Sequence, residues 1–221
     1  MKFANIDGQK SEPKPGAIGA CRNCGAEAIS KCGNHVIWHW AHKSRRHCDK
    51  WWESEGEWHR AWKARFPTDL QEVSRTSASG EKHIADICTS AGLVVELQHS
   101  TIHPAEVAER EAFYQTMVWV IDGCANEFDP MNFKMGRTPV GPDSLIGFKH
   151  FGRSKLFARW HTKKPVFIDF GDEGFWRILR YDPMTKEGSA GLVNRDGFAQ
   201  LAASGRTDFS EAGGPATATQ P

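Results

Sequence analysis

Two groups of residues in this 221-residue chain have the types and spacing to do chemistry. The first opens with Cys21-Arg22-Asn23-Cys24-Gly25, in which two thiolates separated by two residues can hold one ion while the backbone turns over it. His39 and His42 follow in HWAH, completing C-x2-C-x14-H-x2-H. Four soft or borderline donors in two close pairs suit tetrahedral zinc, and a site filled by protein on all four sides is structural rather than catalytic. Cys32, His35, His47 and Cys48 lie close by, and Cys32 or Cys48 is an alternative to a histidine in the ligand set.

The second group is oxygen-rich. Asp86 stands in HIADICT, and Glu96 and Gln98 stand in LVVELQH. Residues two apart on a strand share a face, and across a short hairpin Asp86 reaches the same face. Carboxylates among apolar strands are costly to bury, and a divalent cation is a common remedy. Mg²⁺ or Mn²⁺ fits, because both prefer oxygen ligands. Upstream, Glu55, His59 and Lys63 fall at i, i+4 and i+8, on one side of a helix. Each has a plain structural reading alone: a strand-edge Asp, an exposed Glu, a helix-surface pair. Their joint arrangement favours a metal-dependent site.

The elements that position these groups are legible in part. ESEGEWHRAWKARF (53–66) reads as a helix, with Trp58, Trp62 and Phe66 every four residues and Pro67 to stop it. Leu70–Val73, residues 83–89 and residues 93–99 read as strands, with a Ser90-Ala91-Gly92 turn between the last two. Pro104 opens a second helix, AEVAEREAFYQT, and MVWVIDG (117–123) is a buried strand. Val36 and Ile37 mark a strand between the two candidate zinc-ligand pairs. Residues 124–147 read as a loop, and VFIDF and FWRILRY (166–181) as two further strands. The organisation expected is a flexible lead-in (1–17), a zinc-knuckle module (18–50), a core (51–123), a C-terminal extension packed on that core (124–203) and a disordered tail (204–221).

The run ESEGEWHRAWK, EKHIADI, LVVELQHSTI, EREAFY and MVWVIDG resembles, in order, the nuclease-like domain of the competence protein CoiA family, within the PD-(D/E)xK superfamily. CRNCG with HWAH resembles the zinc knuckle that precedes it in such proteins. The resemblance implies an α/β fold with a restriction-endonuclease-like αβββαβ core, a small N-terminal zinc-binding β-hairpin and additional C-terminal strands. It implies Asp86 as the metal-binding Asp and Glu96 as the acid of the (D/E)xK motif, with Gln98 where the superfamily has Lys. A Lys there helps activate water and stabilise phosphate charge, whereas a Gln only orients. Glu55, with Glu57 as substitute, matches the first-helix acid, and His59 and Lys63 match that helix's His and Lys. Arg110 and Tyr114, one turn apart on the second helix, either contact phosphate or pack.

The expected activity is a metal-dependent DNA nuclease hydrolysing phosphodiester bonds, with structural Zn²⁺ and catalytic Mg²⁺ or Mn²⁺. In that scheme Asp86 and Glu96 hold the metal, Glu55 is an outer or second-metal ligand, Gln98 and Lys63 position water and phosphate, and His59 is a general acid or base. A nucleic-acid-binding accessory protein lacking turnover is the alternative, and a zinc-knuckle interaction module a third reading. Lys plus Arg is 28 against 27 Asp plus Glu, so net charge argues for no nucleic-acid partner by itself. The charge is uneven: KSRRHCDK (43–50) and KHFGRSKLFARWHTKK (149–164) are basic, and each run reads equally as a solvated face or as a phosphate-binding surface. No secretory signal or 18-residue apolar run is present, which with the six cysteines leads to the expectation of a cytoplasmic protein with thiols or metal ligands and no membrane partner.

Overall fold

The computed structural model describes residues 1–44, 48–160 and 164–209. Among them are thirteen strands and five α-helices, a mixed α/β arrangement. Residues 45–47 and 161–163 of the two basic runs, and 210–221 of the expected tail, lie outside the described residues. The chain divides into two compact units, Met1–Cys88 and Thr89–Pro221, so the boundary falls inside the expected 51–123 core. No helix among the described residues is long and apolar enough to cross a membrane.

The first unit begins with an antiparallel sheet of β1 (Ala4–Ile6), β2 (Gln9–Ser11), β3 (Ile18–Ala20), β4 (Glu27–Lys31) and β5 (His39–His42), in the order β2-β1-β3-β4-β5. Two of these strands come from residues 1–17, which are therefore part of the sheet and not a loose lead-in. The reason is a small core: Ala4, Ala28 and Trp40 are buried, with Met1, Ile6 and Ala17 against them. The Trp40 indole N–H donates to the Ser11 carbonyl at 3.0 Å. Val36 and Ile37 lie outside the strands, and the strand before β5 is β4. One large apolar side chain contributes about 1.5–3 kcal/mol when fully buried, whereas ordering each residue costs about 1–2 kcal/mol of backbone entropy. A sheet this small needs a staple.

Helix α1 (Glu57–Lys63) is shorter than the periodicity predicts, because Gly56 caps it in an extended conformation and Glu55 precedes it. Its apolar side holds as expected, with Trp62 and Phe66 buried. Strands β6 (Gln71–Thr76) and β7 (Lys82–Cys88) then pair antiparallel, Val73 opposite Ala85.

The second unit carries β8 (Val94–Gln98), α2 (Pro104–Tyr114), β9 (Met117–Asp122), α3 (Asp129–Gly136), β10 (Leu145–Lys149), α4 (Leu156–Arg159), β11 (Val166–Asp169), β12 (Phe175–Asp182), β13 (Glu187–Val193) and α5 (Arg195–Ala203). Its strands run in the order β10-β13-β12-β11-β9-β8. β8, β9 and β11 are parallel and buried at every position, the pattern of strands covered on both faces. The extension thus adds strands beside β9. The region read as a loop, 124–147, contains α3 and the start of β10, where Phe133 stacks on Phe170 with centroids 4.3 Å apart. Within the described start of the expected tail, 204–209, Phe209 is buried and stacks on Phe198 with centroids 5.0 Å apart. From α1 to β9 the chain order is α-β-β-β-α-β, the order read from sequence pattern.

Candidate metal centres

The cysteine pair enters the structure as a tight turn. Gly25 N–H donates to the Cys21 carbonyl at 2.9 Å, and Gly25 takes φ +75°, a conformation that favours glycine. This turn brings together Cys21, Cys24, His42 and Cys48, whose ligand atoms all lie within 4.8 Å of one another. Cys21 Sγ is 3.7 Å from Cys48 Sγ, and Cys24 Sγ is 3.3 Å from His42 Nε2. The fourth member is Cys48 and not His39. His39 and His42 are three apart on strand β5, so they point to opposite faces, and His39 Nδ1–H donates to the Ile37 carbonyl at 2.9 Å. Cys32 and His35 also stay outside the cluster, and His47 lies outside the described residues.

Two residues absent from the sequence expectations hold this centre in place. Asn23 donates to Cys48 Sγ at 3.6 Å and accepts from Ser74 Oγ of β6 at 2.6 Å. Asp49 binds the ring of His83 at 2.7 Å and the backbone N–H of Ile84 at 2.8 Å, fixing the ligand loop to β7. Burial, with the Cys21 thiol beside it, pushes the Cys48 thiol up to about 12. Burial also opposes ionisation of Cys24, but hydrogen bonds from the Ala26 backbone and neighbouring thiols outweigh it and lower that group. A cation bound among the three sulfurs would favour their ionised forms. A Cys₃His set of this compactness suits zinc, which deprotonates its thiols outright.

The second cluster lies at the start of α1 and on β6 and β7. Glu55, His59 and Asp86 bring their ligand atoms within 4.8 Å of one another. His59 Nε2–H donates to Asp86 Oδ1 at 2.9 Å. Lys63, only 1% exposed, donates to Glu55, to Glu72 Oε1 at 3.2 Å and to Asp86 Oδ1 at 3.0 Å. Burial would push the Lys63 ammonium down, and the carboxylates of Asp86, Glu72 and Glu55 raise it well above its ordinary value instead. Burial likewise disfavours the Glu55 carboxylate, but Lys63, a hydrogen bond with Glu72, and Arg60 at 2.5 Å hold it well below the usual range. Glu57 is exposed in the first turn of α1 and takes no part. The expected phosphate-positioning role of Lys63 is corrected: the ammonium is enclosed and serves as counter-ion to three carboxylates.

Glu72 is the functional residue that the sequence reading missed. Its backbone sits at φ +45°, a conformation that costs a non-glycine residue about 1–3 kcal/mol. The carboxylate repays that by accepting from the backbone N–H groups of Lys2 at 2.7 Å and Phe3 at 3.0 Å as well as from Lys63. Nothing local in LQEVSRT signals this, because all three partners are distant or packed from elsewhere.

In the second unit, Glu96 and Gln98 are buried on β8. Glu96 Oε2 accepts from Arg110 Nη1 at 3.0 Å, and Arg110 also donates to Glu106 at 2.6 Å and lies over the Trp119 ring. Gln98 Nε2 donates to the Ser100 carbonyl at 3.1 Å. Arg110 and Tyr114 are both buried, Tyr114 against Phe113, so the packing alternative describes them and a phosphate contact by Arg110 is corrected. The guanidinium is spent on the acids of β8 and α2.

No family model, curated protein or solved structure matches the chain. What the site can do therefore rests on its own chemistry. With four protein donors, the Cys₃His centre would leave a bound ion no open position, the arrangement of a structural rather than a catalytic site. The carboxylate–imidazole cluster is different: it offers two oxygen donors and one nitrogen donor, and Lys63 donates to both acids. That donor set is of a kind that holds a metal ion.

Proposed function

We propose that the chain is a metal-dependent nuclease that hydrolyses phosphodiester bonds in DNA. The observation that carries this reading is the Glu55–His59–Asp86 cluster, pinned by the buried ammonium of Lys63. The α-β-β-β-α-β order and the resemblance of residues 51–123 to CoiA-like nuclease domains support it. When bound, the ion supplies Lewis acidity toward a phosphoryl oxygen and a water acidified enough to attack. The chain's own residues do the rest. Asp86 and Glu55 would offer carboxylate oxygens to the ion, the His59 ring is oriented by its hydrogen bond with Asp86, and Lys63 donates to both acids. The resemblance adds Glu96 as a metal-holding acid and Gln98 as a neutral group that orients water.

The test is cleavage of labelled single-stranded, duplex and branched DNA with Mg²⁺ or Mn²⁺. Asp86→Ala is expected to abolish cutting while the fold survives, because Lys63 keeps Glu55 and Glu72 as partners. Glu96→Gln is the better companion variant, since it retains an acceptor for the buried Arg110. Wild-type cutting is expected to be faster with Mn²⁺ than with Mg²⁺. Full activity in Asp86→Ala would sink the assignment.

A second reading has its own support. Gln98 replaces the superfamily's lysine, and Lys63 already neutralises the acids that would attract a cation. On that reading the chain binds nucleic acid as a recombination accessory factor without turnover. Strand binding that falls steeply with salt, and no cutting with any divalent cation, would favour it.

A further inference from the structure

The second unit contains a polar cleft of about 450 Å³ at the carboxyl ends of β8 and β9. In parallel α/β sheets this is where ligands bind. His99 follows the last residue of β8, and Asp122 closes β9. His99 Nδ1–H donates to Asp122 Oδ2 at 2.7 Å, and the other Asp122 oxygen accepts from Cys124 N–H at 2.8 Å, so the carboxylate is held on both sides. The His99 side chain is 49% exposed while Asp122 is buried, which leaves an oriented imidazole at the cleft wall.

The opposite wall comes from the second basic run of the sequence. The segment leading into α4, and α4 itself, line the cleft with Arg153, Lys155 and Arg159. Arg159 is steadied by Thr101 Oγ1 at 3.4 Å. Asp129 also lines the cleft, 4% exposed and with Oδ1 lacking a hydrogen-bond partner. A buried unpartnered polar atom at a cleft wall marks a place where a polar ligand atom belongs. Burial raises the Asp129 carboxyl above its ordinary value, against a hydrogen bond with Ser154 and the nearby His150 ring, which lower it. Three cations and an imidazole thus line a space of nucleotide size.

We infer that this cleft is a phosphodiester-binding subsite, in which Arg153, Lys155 and Arg159 take backbone phosphates and the His99–Asp122 pair contacts the same strand from the sheet end. The inference rests on the nucleic-acid substrate of the proposed function and adds where the strand is gripped. Its occupant is a polymer backbone and not a free phosphate compound, because the cations are spread along α4 and its lead-in.

The experiment uses the full zinc-loaded chain with Ca²⁺ in place of Mg²⁺ or Mn²⁺, to slow turnover, and labelled 20-nucleotide single strands and duplexes. Binding is followed by fluorescence anisotropy over a salt series. Arg153→Ala/Lys155→Ala/Arg159→Ala is expected to weaken binding at least tenfold. It should also lower the slope of log affinity against log salt by roughly 2 to 3, about 0.9 per duplex phosphate and 0.7 per single-strand phosphate. Asn126→Asp guards against misfolding: it adds a charge to the cleft lining yet retains the side-chain oxygen that caps Phe128 N–H at 3.1 Å. It is expected to weaken binding severalfold. Unchanged affinity and slope in both variants, or no strand binding by wild type, would overturn the inference. Displacement of the strand by inorganic phosphate or a mononucleotide at micromolar concentration would overturn the polymer assignment. The two readings fail separately. Strand binding with no cutting under Mn²⁺ defeats the nuclease and leaves the cleft, whereas cutting with an unaltered KM in the triple variant defeats the cleft alone.

Discussion

Replacing Cys48 with serine is expected to remove zinc from the chain and unfold its first compact unit, while His39→Ala leaves both intact. Cys48 joins Cys21, Cys24 and His42 within 4.8 Å, and His39 points to the other face of β5 and binds the Ile37 carbonyl. The apolar core beside the cluster is slight, built on Ala4, Ala28 and Trp40. Structural zinc contributes on the order of 10–16 kcal/mol in small zinc-dependent folds, against a typical net stability of about 5–15 kcal/mol. Loss of one ligand of four therefore reaches the scale of the whole fold. The check is zinc content by mass spectrometry after dialysis, with thermal unfolding followed by circular dichroism. One zinc per chain retained in Cys48→Ser, and lost in His39→Ala, would restore the Cys21/Cys24/His39/His42 set.

Lys63→Met is expected to destabilise the chain by about 3–5 kcal/mol, the usual cost of removing one partner from a buried ion pair. Here the partners left behind are three: Glu55, Glu72 and Asp86. Adding Glu72→Gln removes one of the stranded charges and should recover part of the loss, a coupling read from a double-mutant cycle. Urea unfolding measures both, and a change below about 1 kcal/mol for Lys63→Met would contradict the counter-ion role. The pH dependence has two limbs. Glu55 is lowered in the folded chain, so its contribution is complete above its ordinary value near 4.5 and is lost as pH falls toward the folded value. Lys63 is raised, so its contribution is complete below its ordinary value near 10.5 and is lost as pH climbs toward the folded value. In Lys63→Met the acid limb should flatten, because Glu55 loses the ammonium that depresses it.

Legibility followed the range of the forces involved. Helix α1, strands β6 to β9 and helix α2 carry strong local signals: the Trp58/Trp62/Phe66 spacing, the β-branched runs and Pro104. The sequence reading puts the metal on Asp86 and Glu96, with Glu55 as an outer ligand, whereas the compact cluster among the described residues joins Asp86 to Glu55 and His59, and Glu55 lies just outside the helix that was to present it. The zinc set was half legible. C-x2-C folds as a local turn, but H-x2-H on a strand splits across two faces, and Cys48 joins through a loop fixed by Asp49 to β7. Strand β13, EGSAGLV, is not among the strands expected from sequence, and it pairs with β12 and β10 on either side. Glu72 left no trace in sequence, since a left-handed glutamate has value only once distant amides and an ammonium surround it.

That glutamate also bears on how freely the parts of the chain can be exchanged. One carboxylate receives the amides of Lys2 and Phe3 and the ammonium of Lys63, so β1 and α1 share an anchor. A chimaera that grafts residues 51–88 onto a foreign zinc segment would strand a buried acid in a disfavoured backbone, with two of its three donors gone. The zinc segment and the carboxylate cluster are then expected to be inherited as a block, with shuffling tolerated only where the incoming segment brings its own pair of amides to Glu72.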